Sequence, residues 1–131
     1  MNHQSAYYEH TSKRLRWIAR ILGTLIVLFW LFVVVINGIV EPSKLGTEDI
    51  TMLILIVGTT IGVLVAWRSE RIGGFITLLF GITHSIFALI ASGHNHLFAM
   101  LISGGPFILI GILFLIADAH SKKSQILKEN P

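Results

Sequence analysis

Apolar residues fill four long stretches of this chain, and short polar or charged corners separate them. No Asp, Glu, Lys or Arg occurs in 21–40, 50–67, 72–93 or 97–117. None of these stretches alternates apolar with polar at period two, and each is longer than the roughly 9–11 residues of a membrane barrel strand. Hydrocarbon offers a bare backbone nothing to hydrogen-bond, so only helices or closed barrels cross it. The pattern therefore predicts transmembrane helices at about 17–40, 48–68, 71–91 and 96–118, roughly 20 residues being enough for one span.

The corners fix these limits. The central one is Ala66-Trp67-Arg68-Ser69-Glu70-Arg71-Ile72-Gly73-Gly74, whose three charges belong at headgroup level as a turn with Glu70 neutralised between Arg68 and Arg71, and where Trp67 also fits an amphipathic interface. Glu41-Pro42 is expected to stop the first helix after a frayed Asn37-Gly38, since proline cannot continue the ladder. Thr47 is a candidate N-cap for the second helix, with Glu48 and Asp49 in its dipole-favoured first turn. From 72 to 117 no charge intervenes, about twice the length one span needs, so Ser92-Gly93-His94-Asn95-His96 must divide it. Residues 1–12 show no periodicity and read as a polar arm, with a second polar tail at 119–131.

Charge then sets orientation. Lys13, Arg14, Arg16 and Arg20 precede the first span, Arg68 and Arg71 flank the central corner, and Lys122, Lys123 and Lys128 follow the last. Loop 41–49 holds only Lys44 and loop 92–96 has no Lys or Arg. Bases near spans favour the cytoplasm, so both termini are expected inside, in the cell membrane. The basic start followed by an apolar run also suggests a signal peptide. That run, however, exceeds the usual apolar core of about 7–15 residues and lacks a small-residue cleavage site.

With 131 residues, 53% of them hydrophobic, there is room for one bundle and no second domain. Cysteine is absent, which removes disulfides, thiolate nucleophiles and cysteine metal sites. The net charge of +3 lies beside the spans and not along a groove-sized face, so nucleic acid is not an expected partner. Laying Arg20-Ile21-Leu22-Gly23 through Phe29 on Arg71-Ile72-Gly73-Gly74 through Phe80 suggests a duplicated two-helix hairpin.

Several residues are candidates for more than span-filling. Gly58, Gly62 and Ala66 form a small-residue stripe at four-residue spacing, and Gly73, Gly74 and Gly81 recur in the next helix. Such stripes let helix backbones approach, either between chains or within one bundle. His84 is a titratable side chain well inside a span, about 12 Å from the expected outer end near 92 at 1.5 Å per residue. Thr59, Thr60 and the carbonyl of Ile102 that Pro106 leaves unpaired lie at comparable depth. They define an expected polar layer, serving as a structural network or as the lining of a small cavity. His94 and His96 flank Asn95 and could share a metal only with acids from loop 41–49, because a site needs three or four ligands. Ser85 beside His84 points about 100° away on a helix and makes no nucleophile–base pair. Neither an enzyme nor a cofactor protein is expected.

Three segments resemble an uncharacterised family of small prokaryotic four-helix integral membrane proteins carrying a domain of unknown function. They are Arg14-x-Arg16-Trp17-Ile18-Ala19-Arg20, the corner Ala66-Trp67-Arg68-x-Glu70-x-x-Gly73-Gly74, and Pro106 followed by Gly111-Ile112-Leu113-Phe114-Leu115. The resemblance spans about residues 14–117. It implies the fold and supplies no site residues.

The expectation is thus an all-α integral membrane four-helix bundle with an arm at 1–12, a domain at 13–119 and a tail from 119. Its role would be non-enzymatic: assembly with itself or a larger membrane protein, and contact with anionic membrane lipid through Lys13, Arg14, Arg16 and Arg20. The alternative is a small permeation or ligand-binding protein built on the layer around His84.

Overall fold

A computed structural model describes residues 3–40 and 46–129, and all elements among them are helices. They are α1 (His3–Val40), α2 (Thr47–Arg68), α3 (Glu70–Ala91), α4 (His96–Ser103) and α5 (Gly105–Glu129). The part of the expected loop holding Glu41, Pro42 and Lys44 lies outside the described residues. Four helices, all but α4, are long and apolar enough to cross a membrane. Their outward faces carry large apolar side chains such as Leu25, Phe29, Phe32, Phe75 and Ile90, all more than half exposed. In water so much apolar surface would be an aggregation liability, whereas lipid tails solvate it.

The helices run up and down. α2 packs along α3, α3 along α5, and α5 along α1, while α1 touches α2 more sparingly. Lys128 meets Glu9, so both ends of the chain share one end of the bundle, called here the terminal end. The core is a seam of Ala19, Val27, Val63, Ala66, Phe107, Ile110 and Phe114, with His84 buried beside it.

Three differences from the sequence pattern have local causes. First, α1 starts at His3 and α5 runs to Glu129, so the polar arm and tail are helical. They lie against each other, and that mutual support replaces the apolar periodicity neither segment has alone. α1 is 38 residues long, about 57 Å, and overshoots α2 and α3, each 22 residues or about 33 Å. Second, the N-cap of α2 is Gly46 and not Thr47: the Gly46 N–H donates to the Asp49 carboxylate at 2.8 Å, and Thr47 is already helical. Third, the last span is two helices. Gly104 interrupts it next to Pro106, whose missing N–H removes a bond to the preceding turn.

The turn between α2 and α3 is a single extended residue, Ser69. So abrupt a reversal forces the two helices together at once, and Gly73 makes this possible. A Cβ there would collide with the backbone of Ala66. Farther along the same contact, a Cβ on Gly62 would sit 2.6 Å from Thr77 Oγ1, and one on Gly58 would enter the Phe80 ring. α5 approaches α3 in the same way, Gly111 against Leu78 and Gly81 against Ile108 and Phe107. Gly23 and Gly74, aligned in the suggested duplication, each sit against α5, at Ile110 and Phe114 respectively.

Gly73→Ala should therefore overpack the hairpin and lower stability by about 1–3 kcal/mol. Gly93→Ala, where a Cβ meets nothing within 4 Å, should not destabilise. Thermal unfolding in mild detergent, followed by helical circular dichroism, distinguishes the two.

Candidate functional site

Two regions gather polar chemistry, one at the terminal end and one near the opposite, far end. At the terminal end the corner between α2 and α3 delivers Glu70 inward, leaving its side chain 10% exposed. Arg68 and Arg71, its neighbours in sequence, stay exposed, and the carboxylate is neutralised from α1. Arg16 Nε lies 2.6 Å and Arg20 Nη2 3.8 Å from Glu70 Oε1. Arg20 also donates to the Trp67 carbonyl at 2.9 Å and lies 5.6 Å from the centre of the Trp67 ring. Arg16 donates to Ser121 Oγ at 2.9 Å, which brings in α5. One acid thus ties three segments of the bundle together.

Beyond this node the overshooting ends of α1 and α5 form a two-helix stalk. Ser12 Oγ donates to the Ala117 carbonyl at 3.2 Å. Glu9 accepts from Lys13 at 2.8 Å and from Lys128 at 2.6 Å. Those two ammonium groups hold its carboxyl down at about 2, below the usual carboxylate range. The Tyr8 ring packs against His120, with centroids 5.5 Å apart, and against Lys123 Nζ at 4.6 Å.

The four bases expected to meet lipid therefore separate. Arg16 and Arg20 are committed to Glu70, Lys13 is exposed but paired with Glu9, and Arg14 is exposed. Sequence reasoning missed the Glu70 node because it paired Glu70 with its nearest bases. The i, i+4 step from Arg16 to Arg20 was the available signal, since it sets both guanidiniums on one face.

Inside the bundle His84 has no exposed surface, and neither ring nitrogen has a hydrogen-bond partner. Its ring stacks on Phe107 at 5.8 Å and tilts against Trp30 at 5.7 Å. Thr59 and Thr60 turn back to their own helix: Thr59 Oγ1 donates to the carbonyls of Leu55 and Ile56, and Thr60 Oγ1 to that of Ile56. No hydrogen bond joins them to His84, and Pro106 lies at the start of α5 near the Gly104 break. Ser85 reaches across to the Met100 carbonyl at 3.4 Å, while the buried Ser103 hydroxyl has no partner.

The expected helix-packing residues Gly58, Gly62, Ala66, Gly73, Gly74 and Gly81 all lie in contacts within the chain. Gly104, one of the two glycines before Pro106, and Gly111, seven residues on, serve the same purpose. At the far end His96 Nδ1 donates to the Leu89 carbonyl at 2.9 Å, which occupies that nitrogen in closing α3, and His94 is exposed. No group of three potential metal ligands exists among the described residues.

Residues 8–126 match the family described as "Domain of unknown function (DUF7670)". No curated protein and no solved structure matches the chain.

The two partners of the node should prove energetically coupled. Glu70→Ala and Arg16→Ala should each destabilise by roughly 1.5–3 kcal/mol, and the double variant by less than their sum. A double-mutant cycle of unfolding in detergent measures the coupling. For the stalk, a depressed Glu9 pKa means that its contribution is complete above the unfolded value of 4.5 and is lost as pH falls toward about 2. Tyr8 fluorescence should report stalk opening across that window, and Glu9→Gln should abolish the transition.

Proposed function

Since the chain belongs to the DUF7670 family, whose domain has no known function, we propose a role from its own geometry: a non-enzymatic multi-pass protein of the cell membrane that works by binding. Four helices of sufficient length and apolarity support membrane placement. All described Lys and Arg residues belong to the terminal end, so the charge rule for membrane loops favours cytoplasmic termini. No described Asp or Glu lies within the apolar stretches 21–36, 50–67, 72–93 or 97–117, and no acid–base or nucleophile pair assembles there among the described residues.

The observation that carries this reading is the division of the bases. Arg16 and Arg20 hold the bundle closed through Glu70, whereas Arg14, Arg68 and Arg71 stand exposed with Trp17 and Trp67 nearby. That combination suits the headgroup layer, cations for anionic lipid and indoles for the interface. The stalk adds a helical surface beyond the headgroups for a second copy or a larger membrane protein. A second reading, ligand binding within the bundle, is favoured by the unpartnered nitrogens of buried His84.

Replacing Arg14, Arg68 and Arg71 by Ala should weaken retention of anionic lipid by about 1 kcal/mol each, roughly fivefold per residue, and leave the fold stable. Arg20→Ala should instead lower stability. Native mass spectrometry of lipid adducts, alongside thermal unfolding, tests the division; equal loss of lipid from both sets would refute it. Copurification in mild detergent identifies self-assembly or a larger partner.

A further inference from the structure

Near the far end, α1, α2, α3 and α4 stand apart around a crevice of about 360 Å³. Trp30, Met52, Phe87 and Ile102 are the large side chains of its wall, and no charged side chain lines it. Of its two hydroxyls, Ser92 is bonded to His96. Ser103 is only 5% exposed, yet its Oγ has no partner. The Trp30 ring that walls the crevice also packs against His84, so the two unpartnered groups share this part of the bundle. Buried polar atoms without partners are rare in folded proteins, and a wall this apolar offers little to hold a bridging water.

Resting on the ligand-binding reading above, we propose that this crevice binds a neutral, planar, membrane-soluble carbonyl compound of the quinone class. Each feature of the ligand answers one of the site. The uncharged wall selects a neutral molecule, since a buried charge without a counter-charge is costly. Trp30 and Phe87 offer aromatic faces and edges to a flat ring. The Ser103 hydroxyl donates to a carbonyl oxygen and so gains the partner it lacks. The volume lies near the lower end of the roughly 300–1,000 Å³ of small-molecule sites, which admits a substituted ring and excludes a whole phospholipid. The inference concerns binding alone and includes no electron transfer.

The test uses the full chain in mild detergent with Trp17→Phe and Trp67→Phe, leaving Trp30 as reporter, and decyl-benzoquinone as probe. Saturable quenching of Trp30 emission is expected. Ser103→Ala should weaken binding about tenfold through the lost hydrogen bond. Ala99→Phe, which fills the crevice from a partly exposed wall position, should abolish it, and keeps the test open if Ser103→Ala unfolds. Decylbenzene, which lacks the carbonyl, should compete poorly. If decylbenzene competes equally and Ser103→Ala changes nothing, the ligand class is overturned while an apolar site stands. If quenching never saturates and a Trp17-only variant behaves identically, the crevice is no site and the ligand-binding reading falls with it.

Discussion

Helices surrounded by lipid gain little from hiding apolar side chains from one another, because the tails are equally apolar. Their association depends on how closely the backbones can come. This chain, with four helices long and apolar enough to span a membrane, makes such approaches through glycines and an alanine facing across its helix pairs. Gly73 lies on Ala66 at the α2–α3 turn, Gly62 on Thr77 in the middle and Gly58 under the Phe80 ring. α5 reaches α3 through Gly111 and Gly81. The small-residue stripe of α2 is thereby used inside the protomer, so a second copy would have to dock on another surface.

The apolar layout was legible because its cause is local. A span needs about twenty uncharged residues, and Arg68 or Glu70 ends one whatever lies elsewhere. What escaped depends on partners distant in sequence. Residues 3–12 have no face of their own and become helical beside the C-terminal half of α5, where Ser12 meets Ala117 and Glu9 meets Lys128. Glu70 looked neutralised by Arg68 and Arg71, yet the fold turns those outward and draws in Arg16 and Arg20. Pro106 marked a disturbed helix, and Gly104 decides where the break falls. The grouping of Thr59 and Thr60 with His84 rested on depth alone, and depth does not say which way a hydroxyl turns. Both threonines satisfy their own helix carbonyls.

The polar features divide by position. At the terminal end each buried charge has a counter-charge, which suits a part that must hold its geometry against water and salt. Near the far end the opposite holds: His84 and Ser103 lie buried without partners beside an apolar crevice. Charge facing counter-charge points to rigidity at the first end, and uncharged polar groups left unpaired beside a crevice point to binding near the second.

The stalk has a consequence for how the chain is built. Its two halves join residues more than a hundred positions apart, Arg16 with Ser121 among them, and the seam between α1 and α5 below them is nearly as long-range. During synthesis the compact hairpin of α2 and α3 can close as soon as it emerges, while α1 waits for the final segment before its main neighbour exists. α1 is thus made well before the helix that encloses it, and a chain clipped before α5 would leave the α5-facing side of α1, Ser12 included, uncovered.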